Sequence, residues 1–250
     1  MSSDFGYRLR VVALILLTMV AAGCTASASG KLPGRIAPPP EIAACESWWF
    51  ARFQLQWPEE QPVNWHWDLL IAHKIIAPAL EQFKASICLW RFHRRAARDP
   101  AGHQLSFIFY ASAEAAHQIF DALRSNALLA EMKSAGVVIA DIYDQPDRIA
   151  KPRINDTSDP NWPSALQKSW PYYMMGASQM WLNLIAETVA DMPQAGAASS
   201  LAENEQLYKE ANAVITSLWE INGRHAFLHH LNALFGYEPI VFYEKRMLTF

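Results

Sequence analysis

Two neighbouring stretches of the chain alternate apolar and polar positions with a period of two. In "ICLWRFHR", from Ile87, the pattern places Cys88, Trp90 and Phe92 on one face and Ile87, Leu89, Arg91 and His93 on the other. "HQLSFIFY", from His103, sets Leu105, Phe107 and Phe109 together. The intervening "RAARDPAG" holds Asp-Pro and Gly, which is turn chemistry, so the two stretches predict a β-hairpin. Three- and four-residue spacings of Leu69, Ala72, Ile76, Leu80 and Phe83 predict a preceding helix, capped by Asn64 and bent at Pro78. After the hairpin, Ser112 caps a helical region over 113–135, interrupted near Ser125 and stopped at Gly136. "VVIADIY" then predicts a strand over 137–143.

Beyond that strand lies a proline-punctuated loop, "DQPDRIAKPRINDTSDPNWP". A long apolar helix is expected from Ser164 to Ala190. Ser200 and Glu203 form a capping box for another, which ends at Asn222 and Gly223. A shorter helix over 224–235 stops at Gly236, and "PIVFYEKR" predicts a last strand. The expected fold class is α+β: a small antiparallel or mixed sheet covered by helices, with a helix-rich C-terminal half.

The first 23 residues read differently. Arg8 and Arg10 precede the apolar run "VVALILLTMVAA", twelve residues against the roughly 20 needed to cross a hydrocarbon core. A charged start, a short apolar run and small residues make a secretory signal. Its end, "VAAGC", resembles the lipobox of bacterial lipoproteins, with Ala21 where that family usually has Leu. The resemblance covers about the first 25 residues. It implies acylation of Cys24 and a lipid anchor in the membrane; ordinary secretion by cleavage at an A-x-A-like site is the alternative. Thr25 after the cysteine, by enteric-type sorting, implies the outer membrane, with the domain facing the periplasm. The expected division is a signal peptide over 1–23, a lipidated flexible tether over 24–41 rich in Ser, Gly and Pro, and a single globular domain over 42–250.

With Cys24 assigned to lipid, Cys45 and Cys88 remain as a pair. In an oxidising envelope compartment such a pair predicts a disulfide, against the alternative of two free thiols. Without residues 1–23, 19 basic and 23 acidic residues remain, a net charge of −4 that gives no sign of a nucleic-acid partner. G-x-S-x-G, a Gly-rich phosphate loop and CxxC are all missing, and no cofactor is expected.

Four groups of residues carry candidate chemistry. Trp48, Trp49, Trp57, Trp65 and Trp67 crowd beside the tether; exposed, they would offer faces to a sugar or a partner protein, and buried, they would fill a core. Arg91, Arg94 and Arg95, with Arg98, His93 and His103, form a basic cluster suited to a planar anion, or simply a solvated hairpin end. His225 and His229, four apart with His230 adjacent, have a spacing that can hold a metal ion, although no HExxH partner is present. Met174, Met175 and Met180 suit a soft metal or, more simply, adaptable packing. The reading is a non-catalytic, lipid-anchored envelope protein that binds a partner protein, a glycan or an envelope component. The rival is an envelope hydrolase or metal-assisted enzyme using His225 and His229 or His93 and His103.

Overall fold

A computed structural model describes residues 44–193 and 200–239. Cys24, the tether and all but the first residue of the expected last strand lie outside the described residues.

The first described element is β1, Ser47–Leu55, a strand that the sequence pattern did not predict. It is followed by one continuous helical run: α1, His66–Leu70, a π-helical stretch, Ile71–Ile76, and α2, Ala77–Gln82. The wider π turns come just ahead of Pro78, which has no N–H to bond the Lys74 carbonyl. The hairpin is β2, Ile87–Ala96, with β3, His103–Ala111. Ser112 caps α3, Ala113–Arg124, its side chain accepting from the N–H of Ala115. Asn126 likewise caps α4, Ala127–Ser134. Gly136, at φ +73°, ends that helix, with the Val137 N–H reaching back to the Met132 carbonyl at 2.9 Å. Then come β4, Val138–Tyr143, and α5, Ser164–Ala190.

Pro171 inside α5 frees the carbonyl of Gln167, and the Ser158 hydroxyl donates to that oxygen at 2.7 Å. The proline thereby ties the preceding loop to the helix. The capping box at Ser200 and Glu203 opens α6, Leu201–Asn222. The expected stop at Gly223 is not made. Gly223 keeps helical angles, φ −56° and ψ −39°, and the run continues through π-helical Gly223–His229 into α7, His230–Leu234. A Cβ on Gly223 would meet the Trp219 ring at 2.9 Å, so the glycine serves a close approach rather than a turn.

The sheet is antiparallel in the order β2-β3-β1-β4, so the unpredicted strand is central. Its alternation sends Trp49, Ala51, Phe53 and Leu55 into the main core, beside Leu105, Phe107 and Phe109 of β3 and the apolar side of the helices. Trp48 faces the other way, packing with Leu89, Ile108 and Tyr110. A register shift between Ile87 and Leu89 corrects the expected face pattern of β2: Cys88 packs with the Trp48 group and Ile87 against the main core. Cys45 and Cys88 form a disulfide, with Cα atoms 6.4 Å apart.

On this second face, the loop after β4 is stitched to the sheet. The Trp48 N–H donates to the Lys151 carbonyl at 3.0 Å, the Trp48 indole to Ile154 O at 3.0 Å, and the Tyr110 hydroxyl to Pro152 O at 2.8 Å. No described helix is long and apolar enough to cross a membrane.

Candidate functional site

The tryptophans expected to form a contact surface are divided by the fold. Trp48, Trp49 and Trp67 are buried, which corrects the expectation that they present faces to a ligand: strand alternation and helix packing turn them inward. The Trp49 indole donates to the Ala111 carbonyl at 3.0 Å. Trp57 and Trp65 are half-buried, and each lies under a guanidinium. Arg98 stacks 3.4 Å from the Trp57 ring centroid and donates to the carbonyls of Trp57 and Pro58; Arg94 lies 4.7 Å from Trp65 and 5.0 Å from Trp181.

The basic cluster is therefore largely engaged within the protein. Arg94 Nε donates to Asp68 Oδ2 at 2.9 Å, and its NH2 to the Trp65 carbonyl. Arg95 pairs with Asp99 in the hairpin turn. Among the described residues Arg91 donates to the Thr157 carbonyl, at 3.5 Å, and burial pushes its guanidinium below the ordinary range. These arginines do not converge on a common anion.

Beneath Arg94 lies a centre that sequence reasoning missed. Asp68 in α1 and His103 at the start of β3 are both fully buried, with His103 Nε2 3.1 Å from Asp68 Oδ1. The Nε2 proton donates to the carboxylate, while Nδ1 is buried without a hydrogen-bond partner. Next to it, burial pulls the His66 imidazole down to about 4, a nearby Lys209 adding to the effect. The two residues are 35 positions apart, and only their joint burial brings them together. Solvent does not reach the pair, which suits a structural clamp between helix and sheet better than chemistry. His93 lies on the exposed opposite face of β2, so the expected grouping of His93 with His103 is not formed.

A groove of about 480 Å³ opens between the α1–α2 run, β2 and α5. Its lining includes His73, Glu81, Lys84, Trp90, Gln179 and Asn183 over apolar Leu80, Ile87 and Leu182. His73 Nδ1 lies 2.7 Å from the hydroxyl of buried Tyr208, and burial lowers the imidazole's affinity for a proton, with Lys74 contributing. Glu81 is paired with Lys84, and Gln179 donates to Asn183. Among the described residues the lining has no Ser, Thr or Cys for His73 to activate.

The histidines of the C-terminal run do crowd together, with ring centroids 5.1 Å apart for His225 and His229 and 5.2–5.3 Å from each to His230. All three are exposed, and the first two rings stack nearly parallel, at 11°. Among the described residues no group of three or more His, Cys, Asp or Glu is placed to hold a metal ion. One helical run supplies all three rings, and among the described residues no group from another element completes a ligand set with His225 and His229.

What the run does present is apolar surface. The first half of α6 buries Leu207, Tyr208 and Ala211. From Val214 onward several large apolar side chains face solvent, Leu218, Trp219, Ile221 (75%), Leu228, Leu234 (82%), Phe235 (70%) and Tyr237, while Ile215 packs against the main core and Phe227 and Leu231 are half-buried. In Gly223–His229 only Gly223 is buried, and in α7 no residue is. Comparison with protein-family models, with curated proteins and with solved structures finds no match to this chain.

Proposed function

We propose that this chain is a lipid-anchored cell-envelope protein, held by acyl chains on Cys24, that works by binding a partner protein rather than by catalysis. The observation that carries the binding reading is the solvent-facing apolar run from Val214 to Tyr237. Monomeric proteins keep such contiguous surface small, and larger patches mark interaction sites. The run takes the role expected of the Trp48–Trp67 segment, most of which is spent on packing. The lipobox-like "VAAGC" and the Cys45–Cys88 disulfide both support an oxidising envelope compartment. The placement of the histidines favours a binder over the rival hydrolase: His66 and His103 are buried, His73 lies in the groove, His93 and His117 are exposed, and the three C-terminal rings crowd on one exposed helical run.

Site-specific photo-crosslinking in intact cells tests this. A photoreactive residue at Phe235 gives an adduct of one defined mass, the same residue at exposed Glu131 on α4 gives none, and Trp219→Ser with Ile221→Ser removes the adduct. Equal labelling at both positions, or none at Phe235, contradicts the reading.

A further inference from the structure

The sheet face turned away from the helices carries a cleft of about 340 Å³ whose lining includes Arg52, Arg148 and Lys151 against one carboxylate, Asp144. That carboxylate is already committed. Its Oδ2 accepts from the Phe50 N–H at 3.1 Å and its Oδ1 from Arg52 NH1 at 3.2 Å, so it positions Arg52 and offsets one of the cleft's three positive charges.

Arg52 and Lys151 share one aromatic ring. The Arg52 Cζ lies 4.6 Å and the Lys151 Nζ 3.9 Å from the Phe50 centroid, which fixes two cations side by side. The Lys151 backbone is pinned as well, its carbonyl accepting from the Trp48 N–H and its own N–H donating to Ser47 Oγ at 3.3 Å. Among the described residues neither Lys151 nor Arg148 takes part in an ion pair. Arg91, whose Nε is buried without a hydrogen-bond partner, adds positive charge nearby. The Lys151 ammonium is pushed down by burial first, with Arg52 and Arg91 lowering it further and Asp144 and Asp156 opposing.

We propose that this cleft binds a phosphate-type anion, with Lys151 and Arg148 as direct ligands and Arg52, clamped by Asp144, as the third. Guanidinium and ammonium donors together suit a tetrahedral oxyanion, and an excess of about two positive charges favours phosphate over a carboxylate. The group could come from a soluble phosphate ester or from an anionic lipid headgroup. The inference rests on neither the lipid anchor nor the C-terminal surface.

Calorimetric titration of the full chain in neutral detergent with inorganic phosphate, then with acetate, tests the site; nanodiscs of phosphatidylcholine with and without phosphatidylglycerol separate the two sources. Saturable phosphate binding, weaker for acetate, is expected. Lys151→Gln or Arg148→Gln weakens it about tenfold, the loss of one charge-assisted contact. Binding confined to the phosphatidylglycerol discs, and lost in the same two variants, assigns the site to a headgroup. The proposal is overturned if phosphate shows no saturable binding and the discs no preference, or if binding is unchanged in folded Lys151→Gln and Arg148→Gln, with folding checked by circular dichroism.

Discussion

Asp68 and His103, one from the first turn of a helix and one from the first position of a strand, meet in full burial with 3.1 Å between Oδ1 and Nε2. Arg94 closes the carboxylate from the partly exposed side, at 2.9 Å. Removing the acid leaves Arg94 and His103 without their shared acceptor in a dry site. Asp68→Ala should therefore cost about 3–5 kcal/mol, the range for breaking a buried pair. Urea denaturation measures it, and a loss below about 1 kcal/mol would show that the clamp is dispensable.

Acid should destabilise this protein before its carboxylates titrate. Burial holds His66 at about 4 in the folded chain, against 6.5 for the ordinary imidazole, and His73 and His93 shift in the same direction. Folded-state values below the unfolded ones mean that the unfolded chain takes up more protons on acidification. Stability is thus fully present above pH 6.5 and falls as pH drops toward 4. Urea midpoints across that window check it, with a shallower dependence expected in His66→Gln.

The disulfide closes a loop between residues 43 positions apart. Constraining the unfolded chain over that length is worth about 4 kcal/mol in the loop-entropy account. Cys45→Ser with Cys88→Ser should lower stability by about that amount, and reductant should move the wild-type chain to the same midpoint.

Trp49→Ala should cost about 3–5 kcal/mol, the range for truncating a large core aromatic. Trp57→Ala, a half-buried residue stacked under Arg98 at a loop, should cost about 1 kcal/mol, the worth of an exposed cation–π contact. Equal losses would contradict the division of the tryptophans between core and loop.

That division also shows what was legible in the sequence. The hairpin, the Ser112 cap, the Gly136 stop and the capping box at Ser200 each carry a local signal, and each forms as expected. β1 has local alternation too, in Trp49, Ala51, Phe53 and Leu55, but consecutive Trp48, Trp49 and Phe50 blur the period because both faces of its first half are covered. Gly223 carries the residue type of a helix stop while serving the packing of Trp219. The Asp68–His103 pair and the Arg52–Lys151 cleft depend on contacts across the fold, which no local window contains. The reading of Cys24 rests wholly on local pattern, so chemistry must test it.

The most direct test is the intact mass of the protein extracted from its native membrane under denaturing conditions. The account predicts a chain beginning at an acylated Cys24 and lacking two hydrogens at Cys45 and Cys88. An unmodified chain cleaved elsewhere, or one that keeps its first 23 residues, would contradict the lipid anchor and the place of work assigned to this protein.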